Sequence, residues 1–247
     1  MTDFKIQPII TFSSVSKNFG KISALENINI SVNHGEFLAL IGPSGCGKST
    51  ILRLASGLDS PSSGKIDIST DKVGYVFQDA TLMPWRTVRK NVGLLAQLEK
   101  FDKEIIKKKT DDILELVGLE DFADHYPFAL SGGMKMRASL ARSLVLDPEL
   151  FLFDEPFGAL DLITRGRLNV ELLQLYTSKK FTSLFVTHSV EEALFLSSRV
   201  IVFSGRPGKI KGEFEVPFKY PRDTKIRYSS EFAELSGEVG KILEDSS

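Results

Sequence analysis

The fold turns on Phe37-Leu38-Ala39-Leu40-Ile41-Gly42-Pro43-Ser44-Gly45-Cys46-Gly47-Lys48-Ser49-Thr50. Phe37 to Ile41 is an unbroken apolar run, the pattern of a parallel strand buried on both faces. Gly42 to Ser49 fits G-x-x-x-x-G-K-[ST], and Thr50 to Ser56 is compatible with a helix, so the motif has the strand before it and helix after it that it requires. The glycines let backbone N–H groups converge on phosphate oxygens, and the helix N-terminus adds its positive dipole. Lys48 is expected to reach the β- and γ-phosphates of a nucleotide, and Ser49 to place its hydroxyl on Mg²⁺. Cys46, among those N–H groups and near Lys48, is expected to favour its thiolate.

Outward from this loop, Ile28, Ile30 and Val32 share one face of a half-buried strand within Asn27 to Asn33, and Lys65 to Ile68 alternates in the same way. Phe151 to Phe153, Ser183 to Val186 and Val200 to Phe203 read as further apolar strands. Ser189 and Glu192 make a capping box that opens a helix carrying Ala193, Leu194 and Leu196. Strands alternating with helices predict an α/β fold, a mostly parallel sheet with helices on both faces. From about residue 80 to 146 the pattern is helical. Ile106, Ile113 and Val117 lie on one face of a helix that Gly118 ends. The predicted organisation is one domain over 1–247: a β-rich start, a phosphate-loop core, a helical insertion at 80–146, and a short, less regular extension at 211–247 containing Pro217 and Pro221.

Two further segments carry chemistry. Leu150-Phe151-Leu152-Phe153-Asp154-Glu155 delivers adjacent carboxylates at the C-terminal end of a strand, where parallel sheets bind ligands. Asp154 fits a Mg²⁺-holding role; Glu155 points to the opposite side and orients or deprotonates the attacking water. Leu130-Ser131-Gly132-Gly133-Met134 precedes the helix-forming stretch Lys135 to Leu146, so Ser131 and the two glycines make a second anion site at a helix start. One nucleotide has one triphosphate. A two-fold dimer explains the second cradle, each closing on the nucleotide held by the other chain. Lys135, Arg137 and Arg142 read as a solvated helix face.

Composition narrows the partners. With 31 basic and 32 acidic residues the formal net charge is -1, which argues against nucleic acid. The single cysteine forms no internal disulfide and suits a reducing compartment. No run approaches the roughly 18 to 20 apolar residues that cross a bilayer, and Met1 to Ile10 lacks the pattern of a cleaved leader. A chain of this kind serving a membrane docks onto another subunit that spans it.

In combination and in order, these motifs resemble the ABC ATPase family over nearly the whole chain. Gly42 to Ser49 resembles its Walker A, and Phe151 to Glu155 its Walker B with the catalytic glutamate. Gln78, after the apolar Val73 to Phe77, resembles the Q-loop glutamine. Leu130 to Met134 is similar to the signature, Ala159-Leu160-Asp161 to the D-loop, and His188 to the switch histidine. Phe19 sits where an aromatic, often tyrosine, stacks on adenine. The resemblance implies a P-loop NTPase core with an N-terminal antiparallel β-subdomain and an α-helical insertion, using ATP and Mg²⁺. It implies Glu155 as general base, His188 on the γ-phosphate, and Lys48 and Gln78 as further catalytic residues, Gln78 reporting Mg²⁺ and water occupancy to a membrane partner. Nucleotide contacts are expected from Phe19, Gly42, Pro43, Ser44, Gly45, Cys46, Gly47, Lys48, Ser49, Thr50, Ser131, Gly132, Gly133 and Asp161, and metal contacts from Ser49, Gln78 and Asp154. The signature departs from the family pattern in having Met134 in place of glutamine, followed by an unusual Lys135-Met136. Phe19 in place of tyrosine loses only a hydroxyl. No catalytic position is substituted, so hydrolysis is expected.

Gln78-Asp79-Ala80-Thr81-Leu82-Met83-Pro84-Trp85-Arg86-Thr87-Val88 and Ser204-Gly205-Arg206-Pro207-Gly208-Lys209 are similar to the nitrate, sulfonate and taurine importer branch of that family. The resemblance implies an importer of a small anion of that type. An importer of thiamine-precursor pyrimidines or another organic solute is the alternative. A separate-chain extrusion ATPase or a soluble non-transport ABC ATPase comes after it. The implied partners are a second copy of the chain, separate permease subunits and, indirectly, a solute-binding protein, with the chain peripheral on the cytoplasmic face of the inner membrane. Trp85, the only tryptophan, falls where the resemblance places the permease-binding groove, and is expected to be partly exposed.

Overall fold

The computed structural model describes residues 8–245. Residues 1–7, part of the stretch read above as lacking a leader, lie outside the described residues. In chain order the first elements are β1 (Pro8–Phe19), β2 (Ile22–Asn33), β3 (Phe37–Ile41), α1 (Lys48–Ala55), β4 (Ser63–Ile68), β5 (Val73–Val76), α2 (Val88–Val92), α3 (Leu94–Leu98) and α4 (Lys103–Leu116). They are followed by α5 (Gly132–Leu144), β6 (Leu150–Asp154), α6 (Leu162–Lys179), β7 (Thr182–Val186), α7 (Val190–Leu196), β8 (Arg199–Phe203), β9 (Ile210–Glu215) and α8 (Ser230–Glu244).

The alternating strands form an antiparallel sheet in the order β2-β1-β4. Ile28, Ile30 and Val32 pack inward with Ile10, Phe12 and Val15, as their period-2 spacing requires. The continuous apolar runs form the second sheet, ordered β5-β6-β7-β3-β8-β9. Its strands are parallel from β5 to β8, and β9 is antiparallel. Both faces of this sheet are covered, which is why its strands do not alternate. Leu38, Leu40, Leu152 and Leu184 face the antiparallel sheet and α1. Phe37, Ala39, Phe151, Phe153 and Phe185 face α5, α6, α7 and α8. Because β5, β6, β7, β3 and β8 run the same way, the turns that follow them emerge along one edge.

The helical insertion has its own small core of Val88, Val92, Leu114, Leu119, Ala138 and Ala141. Gly118, at φ +62, follows α4 as expected. Residues 80–87 are not helical, contrary to the sequence expectation. Fully buried Asn91 accepts from Met83 N at 2.7 Å and donates to the carbonyls of Met83, Arg86 and Thr87. Arg142, on α5, donates to the carbonyls of Ala80 and Thr81. These side chains satisfy backbone groups that a helix would have paired internally. Arg142 is therefore not part of a solvated face, and Arg137 likewise donates to Val117 O.

The tail is more regular than its prolines suggested. β9 extends the sheet, and α8 packs Phe232 and Val239 into the helix-side core. Buried Arg222 donates to Leu194 O and Phe195 O, and Tyr220 OH to Leu196 O, pairing orphan carbonyls at the end of α7. Phe232, Leu235, Val239 and Ile242 share one helix face, the pattern that Pro217 and Pro221 masked. No helix among the described residues is long and apolar enough to cross a membrane.

Candidate nucleotide site

Gly45 and Gly47 take positive φ, +75 and +105, and Gly47 is the N-cap of α1. A Cβ on Gly47 would fall 2.6 Å from Leu25 Cδ2, so strain and space both demand glycine here. Lys48 is buried, and its Nζ donates to Gly42 O at 2.7 Å and Pro43 O at 3.0 Å. Beside the loop opens a cavity of about 490 Å³ lined by Phe19, Ile22, Ala24, Ser44, Gly45, Gly47, Lys48, Ser49, Thr50, Gln78, Glu155 and Arg206.

The two carboxylates after β6 diverge. Ser49 Oγ donates to Asp154 Oδ1 at 2.8 Å, and Tyr75 OH donates to Oδ2 at 3.2 Å. Burial pushes the Asp154 carboxyl above its usual range, with those two hydrogen bonds opposing. Burial likewise raises the Tyr75 phenol, and the Asp154 charge adds to it. Glu155 takes a left-handed φ of 45° and donates its N–H to Val186 O, which turns its side chain away from Asp154. His188 Nδ1 lies 3.3 Å from Glu155 Oε2. Among the described residues no cluster of three His, Cys, Asp or Glu could hold a metal. The hydroxyl–carboxylate contact of Ser49 and Asp154, with the Gln78 amide on the same cavity, is nonetheless a hard oxygen set. Mg²⁺ commonly takes one or two protein ligands with water and substrate phosphates, so these residues fit it.

Ser131 N-caps α5, its Oγ accepting from Met134 N at 3.3 Å. Gly132 and Gly133 pack against Leu160 and Thr164, where a Cβ on Gly133 would come within 2.8 Å of Thr164 Cγ2. Asp161 N-caps α6, accepting from the N–H groups of Thr164 and Ile163. The Thr164 bonds lead in holding its carboxyl below the usual range. Ser131, Gly132, Gly133 and Asp161 do not line the cavity within one chain. Met134, in the glutamine's place, packs with Leu82 and Ile113 on the insertion core.

The family model for ABC transporters matches residues 25–158. The chain belongs to this family. It is an ATP-binding subunit and an ATPase of the ABC type. An uncharacterized ABC transporter ATP-binding protein of Methanocaldococcus jannaschii is 47% identical over 239 residues, covering 92% of this chain and 87% of that protein. The aliphatic sulfonates import ATP-binding protein SsuB of Bacillus cereus is 41% identical over 241 residues, covering 93% of this chain and 94% of that protein. Among solved structures, a dimeric ATP-binding cassette in a post-hydrolysis state with ADP and Pi is 31% identical, with a TM-score of 0.74 over 85% of this chain and 100% of that chain.

In this ABC ATPase, two sequence expectations change and one residue joins the site. Cys46 is fully buried, and burial pushes its thiol up more strongly than Lys48 pulls it down. Its side chain packs into the core beneath the antiparallel sheet, with Sγ 3.9 Å from Lys48 Nζ, and it does not line the cavity. The capping box is also indirect. Ser189 Oγ accepts from Glu192 N, but the Glu192 carboxylate takes the Thr187 hydroxyl instead of Ser189 N. Arg206, assigned no role from sequence, lines the cavity, and its Nε and Nη2 donate to Gly45 O at 3.2 and 3.0 Å. Its signal was position: it follows β8, the parallel neighbour of β3, so its turn emerges beside the phosphate loop. The Tyr75 contact had no local signal.

Proposed function

We propose that this chain hydrolyses MgATP in a two-fold dimer and drives import of a small anion of the nitrate, sulfonate or taurine type. It does so from the cytoplasmic face of the cell membrane, through separate permease subunits and, indirectly, a solute-binding protein. The observation that carries the hydrolytic reading is the divergence of Asp154 toward Ser49 and Glu155 toward His188, with Ser49 and Glu155 lining the cavity beside the phosphate loop.

Phe19, 47% exposed, offers its ring to adenine. Lys48 leaves the carbonyls of Gly42 and Pro43 for the β- and γ-phosphates. Ser49, Asp154 and Gln78 would hold Mg²⁺, which neutralises charge on the phosphate oxygens when bound. Glu155 accepts the proton of the attacking water, and His188 steadies the γ-phosphate. Ser131, Gly132, Gly133 and Asp161 complete the site of the second copy. The cassette solved as a dimer with ADP and Pi supports the dimer, and the sulfonate-import relative supports the solute class.

Two measurements test this reading. ATPase rate in dilute solution is expected to rise faster than linearly with protein concentration. A strictly proportional rate from a demonstrably monomeric species would remove the shared site. Cells lacking the chain are expected to lose uptake of labelled sulfonate, taurine or nitrate and to regain it on complementation. Unchanged uptake of all three would refute the solute class.

A further inference from the structure

Arg165, in the first turns of α6, donates Nη2 to Gly158 O at 3.3 Å and to Leu160 O at 3.1 Å. Its Nε lies 3.8 Å from Oε1 of Glu192, within ion-pair range but beyond hydrogen-bond length. Both atoms are shielded from solvent, and neither has a hydrogen-bond partner among the described residues. The other Glu192 oxygen, Oε2, accepts from Thr187 Oγ1 at 2.5 Å, and Thr187 Oγ1 accepts from Ser189 N at 3.1 Å. Both neighbours of His188 in the chain are thus held through Glu192. At the other end, Gly158 N donates to Glu155 O, and Gly158 and Leu160 lie in the turn between Glu155 and Asp161. A continuous set of polar contacts therefore joins the turn bearing Glu155 and Asp161 to the residues flanking His188.

A buried ion pair left short of hydrogen bonding costs free energy, and its retention calls for a reason. We propose that Arg165 and Glu192 are positioning residues that, through Thr187, set His188 against Glu155 and tie that setting to the Asp161 turn. The inference rests on the roles proposed above for Glu155 and His188. A shift of the turn by about 1 Å completes the pair, so contact of a second copy at Asp161 is registered at His188.

The test is steady-state hydrolysis by the full chain, with affinity for a fluorescent ATP analogue and the melting midpoint measured separately. Thr187→Val removes the hydroxyl at nearly constant volume, Thr187→Ser keeps it, and Glu192→Gln is the independent variant. Thr187→Val and Glu192→Gln are expected to lower kcat on the order of 10- to 100-fold, the cost of misplacing a reacting group by about 1 Å. Nucleotide affinity is expected to stay near wild type while the melting midpoint falls modestly, since each change leaves a buried polar group without its partner, with Thr187→Ser recovering most of kcat and of the midpoint. Wild-type kcat in either Thr187→Val or Glu192→Gln overturns the relay. So does a matched loss of nucleotide affinity, which marks a general structural role. His188→Ala and Glu155→Gln run alongside. If they are inactive while Thr187→Val is not, the relay alone fails; if they turn over like wild type, the reading of the site fails and the relay with it.

Discussion

His188 Nδ1 stands 3.3 Å from Glu155 Oε2 across the C-terminal ends of two neighbouring parallel strands, β7 and β6. The contact is long for a charge-assisted bond and half of the His188 side chain is exposed, so it can part to admit a phosphate and a water. Glu155→Gln is expected to keep ATP affinity while slowing turnover by about 10² to 10⁴-fold, the range for loss of a general base. An ATP-bound dimer is expected to persist in gel filtration of this variant. Turnover at the wild-type rate would take Glu155 out of the mechanism.

Asp154 gives a stability prediction with a definite sign. Its raised pKa means that the folded chain holds the proton more tightly than the unfolded chain. Stability therefore falls as pH rises from the ordinary carboxylate value through the raised one, and near pH 7 the ionised group is a net cost in the absence of a cation. Asp154→Asn is expected to raise the denaturation midpoint in Mg²⁺-free buffer while losing hydrolysis. A lower midpoint would mean that the Ser49 and Tyr75 hydrogen bonds outweigh the burial.

Cys46 is buried with a raised pKa, so a maleimide is expected to label it slowly at neutral pH, to the same extent with and without MgATP. Labelling should follow global unfolding. Rapid labelling of the folded chain that MgATP blocks would restore the thiolate expected from sequence.

Trp85 is 72% exposed, beside Met83 and Pro84 in the segment after Gln78. Its emission is expected to be red-shifted in the free subunit and blue-shifted on assembly with a tryptophan-free permease. Trp85→Ala is expected to leave ATPase activity and melting temperature unchanged, but to weaken assembly by at least ~1 kcal/mol, the threshold for a meaningful interface residue. Assembly of undiminished strength would place permease docking elsewhere.

The phosphate loop was legible in the chain because its chemistry is contiguous: Gly45 and Gly47 supply the positive φ values, and Lys48 and Ser49 follow at once. Most strands were legible for a similar reason, since apolar runs and period-2 alternation report burial on two faces or one, whereas β1 and the edge strand β9 were not read. Other features depend on partners far along the chain. Ser49 meets Asp154 across 105 positions and Gly45 meets Arg206 across 161, because the turns after β6, β3 and β8 emerge along one edge of a sheet ordered β5-β6-β7-β3-β8-β9. Cys46 turned inward although its sequence neighbours suggested a phosphate-facing thiolate. Residues 80–87 left the helix because Asn91 and Arg142 claimed their backbone groups. Local periodicity says that a residue is buried or a segment regular. Sheet order and side-chain packing across the fold set which distant group it meets, and no short-range pattern carries that information.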